Sequence, residues 1–373
     1  MNLKFRIYIL NNFLPWLISG YIQNKISFIL SLIRTGSNLT LKINSYPLKI
    51  NSIANSSNVI GSLLKILRFA TLFEINKEGL MKITFDNISY FEINLQKMSE
   101  TDQKLIQFLS DANIYGLTVI QENKKSSYFL DDRCVFVIKN GTDLFIETFE
   151  QVRFFMKFYN YTIIETFYNR VHEISTLKKF ENKIVLDVGA AIGETALYFA
   201  SKRATVYAIE IDEHRYKILV EHLKINHKLS ELIYPIHAAL AHDGEVQYYA
   251  DPEHLMDSTI IKNRFNNYFN KYEKKNIKSY SVNSIIKMNN LKTIDYLKID
   301  CKGCEFSLTK NDLKNVSNLK IEYMVSDSSQ KILELVKIIK ESGFKFRTFH
   351  HSVENRKSYN VSGNILGTKE KLS

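Results

Sequence analysis

Between Val185 and Thr195 the chain runs Val-Leu-Asp-Val-Gly-Ala-Ala-Ile-Gly-Glu-Thr. A short apolar strand stops at Asp187. A loop follows that holds Gly189 and Gly193, and a helical apolar run begins at Thr195. A strand that gives way to a helix over so few residues builds a β–α unit, the step from which parallel sheets are made. The same alternation continues to the C-terminus. Strands are expected at Ile184–Val188, Thr205–Ile209, Leu232–His237, Val246–Ala250, Tyr296–Ile299, Ile321–Val325, Phe344–Phe349 and Tyr359–Leu366. Helices are expected at Thr195–Ser201, Glu213–Asn226 and Ser329–Ser342, the last stopped by Gly343. Continuous apolar strands between helices predict a Rossmann-like, doubly wound α/β domain with a mostly parallel sheet covered on both faces.

In such a sheet a ligand binds beyond the carboxyl ends of the strands, beside the first crossover. Gly189 lets the chain leave the strand sharply, and its missing Cβ lets a ligand approach the backbone. Glu210 ends the next strand, 23 residues after Asp187, where a carboxylate can accept both hydroxyls of a ribose. A dinucleotide loop starting at Gly189 would need glycines at 191 and 194, and these positions hold Ala191 and Glu194. Glu194 would repel a pyrophosphate. An acidic loop with Asp187 and Glu194 suits a cationic nucleoside ligand without phosphate, and S-adenosylmethionine is such a ligand.

Asp187-Val-Gly-Ala-Ala-Ile-Gly193, Val206-Tyr-Ala-Ile-Glu210, Asn226, His237-Ala-Ala-Leu240 with Gly244, and Leu297-Lys-Ile-Asp-Cys-Lys-Gly-Cys-Glu305 together resemble the FkbM family of S-adenosylmethionine-dependent O-methyltransferases. The resemblance covers roughly residues 162–325. It implies a seven-stranded sheet of the class I methyltransferase type. It also implies a cofactor site of Asp187, Gly189, Ala190, Gly193, Glu194, Thr195, Glu210, Ile211 and Ala239. It places Asp300 beside the transferred methyl group and the acceptor, with Glu305 opening the next helix as a second catalytic candidate. Asp300 is then a base or an orienting group for the acceptor hydroxyl, or a cap on the following helix. Two positions depart from the family. Lys302 stands where the family has Glu, and Ile211 where it has Pro.

The first 165 residues are expected to form a separate α+β domain for substrate recognition, partner docking or membrane-surface contact; residues 166–373 form the cofactor domain. Helical runs are expected at Phe5–Ile33, Val59–Phe73 and Ser99–Ala112, and Phe149–Thr176 is expected to be helical in whole or in part. Strands are expected at Leu39–Ile43, Leu48–Ile53 and Leu80–Leu95, with a hairpin around Asn140-Gly141 within Tyr128–Thr148. From Met1 to Phe73 there is no Asp or Glu, and the whole chain has a formal charge of +11. That balance permits contact with nucleic acid or anionic lipid. Ile7–Asn24 is an uncharged run of 18 residues. It contains Asn11, Asn12, Pro15 and Gln23, which make it polar for a spanning helix. It reads as ordinary packed helices, as a surface-lying segment or, last of the three, as a span. Three cysteines, Cys134, Cys301 and Cys304, argue against a disulfide framework and fit a reducing, cytoplasmic setting.

Three functions follow from these features. The first is O-methylation of a hydroxyl on a sugar, glycan or other small metabolite. The second is methylation of RNA or protein, and the third a non-catalytic scaffold. His237, His242 and His254 are expected to be structural or exposed, and His350-His351 to lie at the surface. Neither a metal nor a redox role is expected at Cys301-Lys-Gly-Cys304: zinc would lack a second cysteine pair, and a redox role would need a helix N-terminus under the first cysteine. Asp257-Ser258-Thr259 and Arg264–Tyr280 are expected to form a lid or acceptor wall, or a solvated insertion.

Overall fold

The computed structural model describes residues 39–43, 46–50, 72–76, 78, 80–85, 89–94, 99–114, 119–123, 127–130, 135–140, 143–175, 177, 179–250, 258–260, 273–325, 330–354 and 360–369. The expected segments Phe5–Ile33 and Ile7–Asn24 lie outside these residues, as do Cys134, His254, Asp257 and Arg264. Val59–Phe73 lies outside them too except for Leu72 and Phe73, which open a strand, Leu72–Ile75. The chain divides into two compact units, Met1–Ile164 and Glu165–Ser373.

In the first unit the helix Glu100–Ile114 starts on a reciprocal cap. The Ser99 amide donates to Asp102 Oδ2 at 2.9 Å, and the Asp102 amide donates back to Ser99 Oγ at 3.1 Å. Each satisfies an amide the helix start would leave unpaired. Leu105, Phe108, Leu109 and Ala112 fall on one helical face and are buried. Asn140 pairs with Asp143, so Val135–Asn140 and Asp143–Thr148 form the expected hairpin. These two strands belong to a five-stranded antiparallel meander running from Val119–Asn123 to Arg153–Phe155. Phe149–Thr176, expected to be helical in whole or in part, is helical in part, at Met156–Phe158 and Thr162–Phe167. Gln151 at φ 62° turns the chain back, Arg153–Phe155 pairs with Asp143–Thr148, and only Thr162–Phe167 is α-helix. The buried Val152, Phe154 and Met156 alternate with period two, which is a strand pattern.

The second unit is built on strands β1 (Ile184–Val188), β2 (Thr205–Glu210) and β3 (Ile233–His237). The short β4 (Ala239–Leu240), β5 (Gly244–Ala250) and β6 (Glu273–Tyr280) follow. β7 (Ile294–Ile299), β8 (Val316–Val325), β9 (Lys345–Glu354) and β10 (Asn360–Thr368) complete the set. The main sheet has the order β3-β2-β1-β7-β8-β10-β9. Its first five strands are parallel, and β10 lies antiparallel to both neighbours. The strand order reverses at β1, which opens a crevice between the carboxyl ends of β1 and β7. This is the doubly wound, mostly parallel sheet of seven strands that a class I methyltransferase fold requires. Val185, Leu186 and Val188 are at most 1 % exposed, so β1 is covered on both faces.

β6 falls in the stretch expected as lid or wall. It is the central strand of a second sheet, β4-β6-β5. Only Ile277 and Ser279 of it are buried, and its exposed lysines hide the strand pattern. β8 begins five residues before the expected Ile321 and carries Lys320 and Glu322 within its run.

Candidate functional site

α1 (Glu194–Ser201) follows the loop after β1, and α2 (Glu213–Ile225) follows β2. The loop between β1 and α1 is held by its neighbours at almost every residue. The amides of Gly189 and Ala190 both donate to Ile209 O at 2.9 Å. The Ala191 amide, in a left-handed residue at φ 48°, donates to Glu210 Oε2 at 2.8 Å. Ile192 O lies 2.8 Å from Nδ1 of His222, a fully buried residue of α2. A carbonyl can only accept, so that nitrogen carries the proton.

Gly189 has φ +76°, and a Cβ added there would lie 2.0 Å from Asp300 O. The space expected for a ligand is therefore taken by the backbone after β7, and the Asp300 amide donates to Val188 O at 2.9 Å. The cofactor loop and the Asp300 segment are thus pressed together. Gly193, at φ +93°, caps α1 with its backbone, and a Cβ there would meet Leu219 at 3.1 Å.

Glu210 is 2 % exposed. One carboxylate oxygen accepts from Ala191 and the other from the Asp212 amide, each at 2.8 Å. Burial pushes its carboxyl upward, while Arg215 and the two amides pull it back. Each oxygen keeps lone-pair capacity beyond its one backbone bond, as two ribose hydroxyls need. Asp212 caps α2 through the His214 and Arg215 amides and receives the Ser258 hydroxyl at 2.8 Å. Beside Glu210, Ile211 packs on a small apolar cluster of Ala239, Tyr248, Ala250 and Ile277. Glu194 and Thr195 are buried at the start of α1.

Asp187 differs from its expected role. It is fully buried, and its Oδ1 pairs with Lys298 Nζ at 2.9 Å. Its charge is cancelled within the sheet, so it braces the loop from behind instead of attracting a cationic ligand. Lys298 also donates to Gly189 O at 3.0 Å. Burial alone would lower the lysine, but Asp187 and Asp300 outweigh it and hold its ammonium group charged. Neither Lys298 nor His222 is singled out by sequence reasoning, although Lys298 stands inside the quoted Leu297–Glu305 segment. A lysine flanked by Leu and Ile in an otherwise apolar strand was the available signal.

Asp300 follows β7, and its side chain is 29 % exposed. Lys302 Nζ bridges Asp300 Oδ1 at 3.0 Å and Glu322 Oε1 at 2.9 Å. Burial would raise the Asp300 carboxyl, but Lys302 and Lys298 outweigh it and hold it well below the usual carboxylate range. A carboxylate held so firmly ionised is a weak base and a good hydrogen-bond acceptor. Glu305 is fully buried and lies in a short 3-10 turn, Cys304–Ser307, where a helix was expected. Its Oε2 accepts from the Gly303 amide at 2.6 Å and its Oε1 from the Met324 amide at 3.3 Å. Turned onto backbone in this way, it braces the loop and does not face an acceptor.

Cys301 and Cys304 form a disulfide, against the expectation of free thiols. Left-handed Lys302 (φ 56°) and Gly303 (φ 134°) fold the four residues so that the two Cα atoms lie 5.6 Å apart, within bridging range. Thr259, paired with Tyr249, donates its hydroxyl to Lys302 O. Ser258 and Thr259 thus tie the α2 cap to the Asp300 segment. His237 is exposed and stacks on Tyr216, and His242 O accepts from Ser279. Among the described residues no helix is long and apolar enough to cross a membrane.

Residues 187–346 match the family model described as "Methyltransferase FkbM domain". That stretch is similar to an FkbM methyltransferase domain. The match runs from the acid of β1 into β9, so it spans the loop, Glu210 and the whole Asp300–Glu305 segment. No curated protein sequence matches the chain. Among solved structures, TYW2 of M. jannaschii in complex with AdoMet is 15% identical and covers 67% of this chain and 90% of its own, with a TM-score of 0.32. Trm5b from Pyrococcus abyssi is 12% identical over 82% of this chain and 77% of its own, at 0.33. A putative O-methyltransferase from Klebsiella pneumoniae is 9% identical over 50% of this chain and 74% of its own, at 0.30.

Proposed function

We propose that the FkbM-like domain binds S-adenosylmethionine at the carboxyl ends of β1 and β2 and methylates a hydroxyl of a sugar or other small metabolite. The observation that carries this reading is Glu210, a buried carboxylate locked by two backbone amides at the rim of a braced glycine loop. Its remaining lone pairs fit the two ribose hydroxyls, and Ile211 with its apolar cluster offers a wall for the adenine. Glu194, buried at the start of α1, supplies the negative potential that favours a cationic ligand over a pyrophosphate. When bound, the methyl donor supplies a carbon already activated for in-line displacement. The protein's part is alignment, which alone can contribute several kcal/mol. Asp300 accepts the acceptor's hydroxyl hydrogen bond and aims its oxygen, while Lys302 keeps that carboxylate ionised.

Titration calorimetry with S-adenosylmethionine tests the site. Glu210→Gln removes the charge and one acceptor but keeps the shape. The variant is expected to bind at least about tenfold more weakly, the loss of one charged hydrogen bond. Unchanged affinity would remove Glu210 from the site. Incubation with labelled donor and fractionated cell extract then identifies the acceptor, and label in an RNA or protein fraction would overturn the small-metabolite reading.

A further inference from the structure

Three potential donor atoms cluster behind Asp300. The Sγ atoms of Cys301 and Cys304 and a carboxylate oxygen of Glu305 lie within 4.8 Å of one another. Glu305 Oε2 is 3.4 Å from Cys301 Sγ. Cys301 is partly exposed, whereas Cys304 is 3 % exposed and packed in the sheet's core cluster. An incoming sulfur therefore has access to one side of the bridge only. The other sulfur is the leaving group, and it is shielded from side reactions. We propose that Cys301 and Cys304 form a reversible thiol–disulfide exchange site for an external dithiol, with Glu305 as the proton acceptor of Cys301.

A thiolate of the external dithiol attacks Cys301 Sγ, the S–S bond breaks, and Cys304 leaves as a thiolate and takes a proton. The second external sulfur attacks the mixed disulfide and releases Cys301, which is protonated and donates S–H to Glu305. The external dithiol is oxidised by two electrons to its disulfide. In the reverse direction the Cys301 proton passes to Glu305 as its sulfur attacks the external disulfide. Thiolate formation governs the rate of such exchange, so a carboxylate at hydrogen-bond distance matters most in this direction. The bridge closes a ring around Lys302, the residue that holds Asp300 and Glu322 together. Cys301 Cα lies 3.3 Å from where a Gly189 Cβ would stand. The redox state of the pair is therefore set against both halves of the candidate site.

The test is thiol trapping in the full chain carrying Cys134→Ser, equilibrated across mixtures of reduced and oxidised dithiothreitol. Mass-tagging with a maleimide should show zero tags in the oxidised buffers and two in the reduced ones, appearing together in a single two-electron transition. Two tags in every buffer would overturn the proposal. So would a bridge that resists excess dithiothreitol until the protein is denatured, because that bond is purely structural. A reduced pair that takes up zinc stoichiometrically and then cannot be reoxidised would overturn it as well. Glu305→Gln should reoxidise roughly a hundredfold more slowly at neutral pH, the low end for loss of a proton acceptor. Glu305→Asp, which keeps a carboxylate, should recover part of that rate. Equal rates in all three proteins would remove Glu305 from the step. No arm of the experiment uses methyl donor or acceptor, so its outcome is independent of the proposed methyl transfer.

Discussion

A lysine in the middle of a buried strand costs several kcal/mol in lost hydration unless an anion and further acceptors meet it. Lys298 is 3 % exposed and has both, in Asp187 and the Gly189 carbonyl. Removing it leaves the fully buried Asp187 carboxylate uncompensated, so Lys298→Met should destabilise the protein by about 3–5 kcal/mol. The pair can then be separated from its chemistry. Asp187→Asn combined with Lys298→Met removes both charges together, and chemical denaturation should show that the double variant regains at least half of the loss. If the double variant is as unstable as the single one, the ion pair is not what Lys298 supplies. The donor site gives a second readout. Lys298 holds the Gly189 carbonyl, so the double variant should remain weaker in S-adenosylmethionine binding even where its stability has recovered.

At the level of elements, the parallel strands were legible because both faces are buried and the apolar run says so directly, as in Val185–Val188. The glycine loop was legible as the turn between a strand and a helix, and Glu210 as the acid that ends the next strand. The brace behind the loop was not. Asp187 reads as a ligand group until β7 is seen beside β1, since the Asp187–Lys298 pairing is a register between strands more than a hundred residues apart in sequence. The disulfide was equally hidden, because its closure depends on two left-handed residues that carry no sequence signature at Lys302. β8 shows a further case, with Lys320 lying next to Lys298 across the ladder. Burial, followed by repulsion from Lys298, pushes the Lys320 ammonium down to about 8 from an ordinary 10.5. In the unfolded chain the lysine keeps its proton to the higher value. Between the two, the unfolded state binds more protons and folding stability rises with pH. Lys320→Met should therefore lose this rise. The stability gap between variant and wild type, followed by denaturant unfolding, should move in favour of the wild type by about 1–3 kcal/mol from pH 8 to above pH 10. A gap that stays constant with pH would mean that Lys320 keeps its ordinary affinity for protons in the fold.

For the whole molecule, the two units differ in charge composition. The first begins with 73 residues that contain no acid, and the second holds the residues that match the FkbM family model. Every residue assigned to the donor site lies between Asp187 and Glu305, inside the second unit. A ligand that binds the folded state at a hundred times its dissociation constant stabilises what it binds by about 2.7 kcal/mol. That stabilisation has an address, because local opening is suppressed where the contacts are made and in the elements they brace. Hydrogen exchange with and without S-adenosylmethionine should therefore show added protection in residues 187–197, at the carboxyl ends of β1 and β2, and around Asp300. The helix Glu100–Ile114 and the hairpin Val135–Thr148 should exchange at unchanged rates. Protection spread equally over both units would show that they open as one body and that the donor site draws on the first. Protection confined to the first unit would place the donor outside the crevice altogether, and the assignment of Glu210 would fall with it.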